Sequence, residues 1–245
     1  MATVLFAFAH QDDETLAAGV AIAEHVVAGH DVHVLCLSTG ATSGVLDVLN
    51  GVGANPWWGV PHNPAAEGYP VLTEAQFVAA RNAELVAAVN CLGSVTIHYG
   101  NLTVVTPATV AAEIERVADV VAPTGPVILK THSHLVDVHP DHIAAGQAAV
   151  NLKASQPARF GDVRHYILPR YWDTTVAANR DMLALVVEKW DTPTNADIKA
   201  RATNAARCYG AWAPPASYAI GYHSVWTDMF APLLASPGPR SLYHP

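Results

Sequence analysis

The chain has 245 residues, 51% of them hydrophobic and 14% charged, which suits one globular domain with a sizeable core; no apolar run reaches the about 18 residues of a membrane-spanning helix. The formal charge is −8, with fourteen acidic against three basic side chains (Arg81, Arg116, Lys130) in residues 1–150. No basic stripe accompanies aromatic residues, which argues against nucleic-acid binding, and the acidic front part would welcome a cation.

The first element is TVLFAFA, residues 3–9, a short apolar run of the kind buried on both faces of a parallel sheet. No basic segment precedes it, so it reads as a first strand and not as a signal peptide. Cys36, Cys91 and Cys208 are widely spaced and form no ligand pattern; reduced thiols in a cytoplasmic protein are expected. Residues 15–28 carry Leu16, Gly19, Val20, Ala23 and Val27 on one helical face, with Gly29 as C-cap. DVHVLCLS (31–38) is a second strand, and strand–helix–strand order implies a parallel pair.

Periodicity then disappears from about 40 to 72. A loop this long inside a compact domain is usually functional or disordered, and Trp57 and Trp58 argue for an ordered loop or lid beside a site. Thr73 and Gln76 form a capping box ahead of a helix whose apolar arc includes Phe77, Leu85, Ala88, Val89 and Leu92. Arg81 and Glu84 fall inside that arc, either as an ion pair or with Arg81 turned to a site. Strands at 94–98 and 127–132 flank a helix at 107–121, and a further helix runs from Pro140 through Lys153. VRHYILP (163–169) reads as a strand, followed by helices near 176–190 and 195–210 and an irregular tail from Ala213. The alternation predicts one α/β domain, with a core over about 1–153 and an extension over 154–245.

Two polar clusters stand out. AHQDDE (9–14) ends the first strand, where three carboxylates are costly unless something positive meets them. HSHLVDVHPDH (132–142) ends the strand at 127–132 and runs into a helix. Ligands of open α/β sheets bind beyond the carboxyl ends of the strands, so both clusters can face one crevice. His10 and Asp13, three apart at a strand–helix turn, with His142 in the first turn of the later helix, supply the three donors of a catalytic zinc site. Asp12 stands beside them as the group to take a proton from a zinc-activated water. His139 is suited to stabilising an oxyanion or protonating a leaving amine, and Asp141 to orienting a histidine. His132, His134 and His223 read as hydrogen-bonded residues outside the site.

These motifs resemble those of the LmbE-like/PIG-L zinc-dependent N-acetylglucosamine deacetylases: AHQDDE is similar to AHPDDE, and HPDHIAAG to HPDHxxxG. VLFAFAH, LCLSTG and ARNAELVAAVNCLG (80–93) extend the likeness over about residues 3–150. The resemblance implies a Rossmann-like, mostly parallel sheet and hydrolysis of an acetamide on an N-acetylglucosamine-type sugar or sugar-bearing metabolite. It puts zinc on His10, Asp13 and His142, the general base on Asp12, and the oxyanion or acid role on His139 with Asp141 supporting. It places Arg81 in the site, and Asp137 near the substrate where some members carry a tyrosine. Gln11 departs from the motif's proline, losing a fixed φ and gaining an amide donor, and the part beyond about 155 matches poorly.

Three alternatives stay open at this level. An amidase on a larger N-acyl conjugate shares the chemistry. His10, Asp12 and His142 also spell a two-histidine, one-carboxylate Fe2+ triad, though the strand–helix alternation does not suit a β-rich oxygenase barrel. A metal-stabilised sugar-binding module would bind without releasing acetate. The substrate is expected to be a small acetamido sugar, and homo-oligomerisation is left open.

Overall fold

Along β1 (Thr3–Phe8), Val4, Phe6 and Phe8 turn to one side of a sheet and Leu5 and Ala7 to the other, all of them buried. A strand with both faces covered belongs at the centre of a layered α/β structure. The computed structural model describes residues 1–54 and 57–245, and Asn55 and Pro56, inside the predicted 40–72 loop, lie outside it. From β1 the chain passes through α1 (Asp13–Val27), β2 (Asp31–Ser38), the short α2 (Val45–Leu49) and α3 (Pro64–Glu67), α4 (Glu74–Leu92) and β3 (Thr96–Leu102). It continues through α5 (Pro107–Val121), β4 (Val127–His132), α6 (Pro140–Ser155), β5 (Val163–Ile167), α7 (Ala177–Leu183), β6 (Lys189–Asp191) and α8 (Ala196–Cys208). A small hairpin of β7 (Trp212–Ala213) and β8 (Ser217–Tyr218), then α9 (Ile220–Val225), α10 (Ala231–Leu234) and β9 (Ser241–His244), end it.

The main sheet has seven strands in the order β3-β2-β1-β4-β5-β9-β6. The first five run parallel, and β9 is antiparallel to both β5 and β6. Residues from α1, α4 and α8 (Leu16, Val20, Ala88, Leu92, Ile198, Ala202) cover one face, and residues from α5 and α6 (Val110, Ile114, Ala145, Ala148) cover the other. The strand order reverses between β1 and β4, where a crevice opens at the carboxyl ends. That is where both polar clusters lie.

The predicted helix near 176–190 is corrected in its second half: α7 ends at Leu183, and Lys189–Asp191 is a strand paired with β9. The segment is extended because it pairs with β9, which lies between it and β5. The tail from Ala213 is not irregular. It supplies α9, a π-helical turn (Trp226–Phe230), α10 and the interior strand β9, whose Leu242 is fully buried. The 40–72 segment carries two short helices and is fastened at its base by Asn50, whose side chain donates to Leu72 O and accepts from Leu72 N. Trp58 packs on His62 and Trp212, and Trp57 on Tyr222 and His223.

Two features of the frame give measurable expectations. Gly146 lets α6 sit against the turn after β4: a Cβ there would stand 2.6 Å from His132 O and 2.7 Å from His134 N. Gly146→Ala is therefore expected to cost about 1–3 kcal/mol through forced backbone shifts. An unchanged denaturant midpoint would show that the helix has room to spare.

Lys130 is fully buried on β4, donating to Tyr166 Oη at 3.1 Å and lying over the rings of Phe6 and Tyr166. Burial, and then the charge of Arg164, push its ammonium from 10.5 down to about 8. A base whose folded pKa is depressed penalises folding below that pKa, and the penalty is relieved as pH rises between the folded and unfolded values. Lys130→Met is expected to gain about 1–3 kcal/mol at neutral pH, by removal of that penalty. The gain should shrink as pH rises from 8 towards 10.5; a constant difference between the proteins over that window would contradict it.

Candidate active site

The chain leaves β1 through Ala9 and His10 and enters α1 at Asp13. Asp12 caps that helix with its carbonyl, which accepts from Thr15 N and Leu16 N. Its own backbone stands at φ 143, ψ −30, a conformation that L-residues adopt only when their surroundings enforce it. On the neighbouring strand, the chain leaves β4 through His132 and reaches α6, whose first turn carries Asp141 and His142. His139 caps α6, its Nδ1 accepting from Asp141 N at 3.2 Å.

Three donor atoms meet between these turns. His10 Nδ1 lies 3.2 Å from His142 Nε2 and 3.3 Å from Asp13 Oδ2, and the last two atoms are 3.4 Å apart. Ligands about 2.0–2.1 Å from a tetrahedral zinc stand roughly 3.3 Å from one another, so the donor set fits a divalent ion. Each imidazole also has a carboxylate on its far nitrogen: His10 Nε2 faces Asp141 Oδ2 at 3.2 Å, and His142 Nδ1 faces Asp137 Oδ2 at 3.0 Å. That pairing fixes tautomer and ring orientation in metal-ligating histidines.

The electrostatics agree with a cation site. Burial works to raise Asp13, but the rings of His142 and His132 and the hydrogen bond with His10 hold it well below the usual range. Burial disfavours a charged His142, yet Asp13 and Asp137 raise its imidazole to about 10; the two carboxylates draw positive charge to this point, and a bound ion would displace the proton. Asp12 differs. Burial first, and the adjacent Asp13 second, push its carboxyl above the ordinary range against the pull of Arg81. His10, Asp12, Asp13 and His142 line a cavity of about 560 Å³, walled by residues 39–43, by Leu102, Thr103 and Val105, and by Ser224, Val225 and Met229.

The family described as PIG-L, GlcNAc-PI de-N-acetylase, matches residues 5–153. The chain belongs to that family. No curated protein matches it, whereas solved structures share its fold. A deacetylase of the pseudoaglycone of the antimicrobial reagent A40926 superposes with a TM-score of 0.63 at 19% identity, covering 99% of this chain and 96% of that one. The 4-carboxy-2-hydroxymuconate hydratase GalB of Pseudomonas putida gives 0.55 at 22% identity, covering 91% and 83%. The N,N'-diacetylchitobiose deacetylase of Pyrococcus horikoshii gives 0.52 at 14% identity, covering 84% and 68%. At these identities the likeness concerns the fold.

In this PIG-L chain the six motif residues His10, Asp12, Asp13, His139, Asp141 and His142 all line one cavity, and Arg81 lines it with them. Arg81 does not pair with Glu84. Its Nη1 donates to Gly40 O and its Nη2 to Gln11 O, 4.0 Å from Asp12 Oδ2. Glu84 instead accepts from Ile220 N and Gly221 N at the start of α9. The amide of Gln11 donates to Thr39 O and Asn82 Oδ1, tying the turn to β2 and α4 in place of a proline's fixed φ.

Two placements differ from the expectations drawn from sequence. Asp137 is not on the cavity: its oxygens take His142 Nδ1, the Tyr171 hydroxyl and the amides of Val138 and His139, behind the His142 ring. The Asp141 carboxylate hydrogen-bonds His10, whereas it reaches His139 by charge and its backbone amide donates to His139 Nδ1. Sequence reasoning also missed His132. Its ring stacks on His142 at 3.9 Å and 7°, and its Nε2 lies 3.2 Å from Asp13 Oδ2. The available signal was alternation: His132 ends β4 on the face it shares with Lys130, towards α1.

Proposed function

We propose that this chain hydrolyses the N-acetyl amide of an N-acetylglucosamine-type sugar or sugar-bearing metabolite, with a divalent metal, zinc foremost, on His10, Asp13 and His142. The observation that carries the reading is the convergence of those three donors at 3.2–3.4 Å, each histidine backed by a carboxylate. Family membership supplies the reaction class. The fold alone does not, since the same frame is found in a hydratase.

A bound divalent ion would contribute Lewis-acid polarisation of the acyl carbonyl and a lowered pKa for water. Every remaining task falls to side chains. Asp12 takes the proton of the attacking water as its oxygen bonds to the acetyl carbon, and that proton goes on to the departing nitrogen as the C–N bond breaks. A carboxyl lifted above its ordinary range by burial is suited to both halves of that transfer. His139, whose Nδ1 is engaged by Asp141 N, presents Nε2–H as a donor to the developing oxyanion. Arg81 holds the turn that carries Asp12 through Gln11 O and Gly40 O. The products are acetate and a free amine.

The test is the purified chain with N-acetylglucosamine derivatives beside analogues bearing longer N-acyl chains. Acetate and amine formed in equal amounts support the deacetylase. Cleavage confined to longer acyl groups would replace it with the amidase, and binding without cleavage would leave a sugar-binding module.

A further inference from the structure

Glu14 and Tyr209 have no part in that chemistry, yet both are almost fully buried beside it. Glu14 follows the ligand Asp13, and its two oxygens divide their work. Oε2 accepts from the backbone N–H of Asp12 at 3.1 Å, while Oε1 accepts from the Thr15 hydroxyl at 2.6 Å and the Tyr209 hydroxyl at 2.7 Å. The peptide that Oε2 holds belongs to the residue at φ 143. Such a conformation costs on the order of 1–3 kcal/mol and persists only when neighbouring groups over-determine it. Asp12 is held from both sides, its carbonyl by the first turn of α1 and its amide by Glu14.

Tyr209 comes from far along the chain, just past α8 and outside the segment the family matches. It is held firmly: a Cβ on Gly221 would stand 2.7 Å from Tyr209 Cβ, Tyr222 N donates to Tyr209 O, and the ring packs 5.5 Å from Phe230. The hydroxyl thereby anchors Glu14 against a wall built by the C-terminal part of the chain.

We infer that Tyr209, acting through Glu14, is a positioning residue that keeps Asp12 in its strained, reaction-ready backbone conformation. The inference rests on the reading of Asp12 as the general base. A carboxylate whose Oε1 keeps only the Thr15 hydroxyl swings more freely on its side chain, and the Asp12 peptide loses the fixed position of the acceptor that offsets its strain. Displacement of a catalytic group by about 1 Å costs roughly a hundredfold in rate, and the cost falls on turnover more than on binding because Tyr209 does not touch the cavity.

The experiment compares wild type with Tyr209→Phe, Glu14→Gln, Glu14→Ala and Ile198→Val, the last a purely apolar trim on α8. Hydrogen exchange of the Asp12 amide is followed in the whole chain, together with kcat and KM on the N-acetylglucosamine derivative that wild type turns over. Tyr209→Phe is expected to lower kcat about ten- to a hundredfold with KM within about twofold, and to speed exchange at Asp12. Ile198→Val should leave both unchanged. Glu14→Gln keeps an acceptor for the Asp12 amide and should retain most of the turnover that Glu14→Ala loses; this pair decides the matter if Tyr209→Phe does not fold. Wild-type kcat and exchange in Tyr209→Phe, with Asp12→Ala inactive, would overturn the positioning role alone. Full turnover in Asp12→Ala would overturn the reading beneath it.

Discussion

Alanine at position 12 is expected to lower kcat by about a hundred- to ten-thousandfold, the usual contribution of a general base, while the protein still binds one divalent ion per chain. The two halves of this expectation have separate origins. The carboxylate of Asp12 lies beside the convergent donors but is not one of them, and Arg81 Nη2, 4.0 Å away, is its nearest ion-pair partner. Removing it leaves His10, Asp13 and His142 with their carboxylate supports intact. Turnover and metal content measured on one preparation separate the roles: loss of the ion together with activity would make Asp12 a ligand, and unchanged turnover would remove it from the reaction.

His142→Ala is expected to act the other way round, with bound metal falling below about one tenth per chain and turnover lost with it. The ring is held from three sides, by Asp13 at Nε2, by Asp137 at Nδ1 and by the face of His132. Losing a ligand together with these supports exceeds the ten- to hundredfold drop in affinity typical when a supporting residue alone is removed. Against metal-free wild type, the variant should also lose about 3–5 kcal/mol, because Asp13 and Asp137 then lose the protonated ring they share. Full metal occupancy in this variant would show that the ion sits elsewhere, and an unchanged unfolding midpoint would show that Asp13 and Asp137 find other partners.

Much of this site was legible because its information is local. AHQDDE and HPDH are contiguous stretches at strand ends, and one rule about where ligands bind in α/β sheets brings them together. The parallel core was legible for the same reason: apolar runs, caps such as Thr73 with Gln76, and helix-opening Pro107 and Pro140 each announce their own element. What stayed hidden depends on partners distant in sequence. Lys189–Asp191 becomes a strand because Ser241–His244 pairs with it about fifty residues later, and no local pattern reports that. The inward placement of Arg81 and Glu84 was readable, but not that one turns to Gln11 and Gly40 while the other caps α9. His132 was hidden among thirteen histidines: alternation alone puts it on the face of Lys130, and the adjacency of β1 and β4 brings it onto Asp13.

The most direct test is acetate release from N-acetylglucosamine derivatives by one preparation measured as purified, after chelation, and after zinc is restored, with metal content read each time. Release should stop as the ion leaves and return as zinc refills the site to one per chain. Release that persists in the metal-free chain would contradict a reaction centred on His10, Asp13 and His142. A fully loaded chain that frees acetate from none of these sugars would contradict the proposed substrate class.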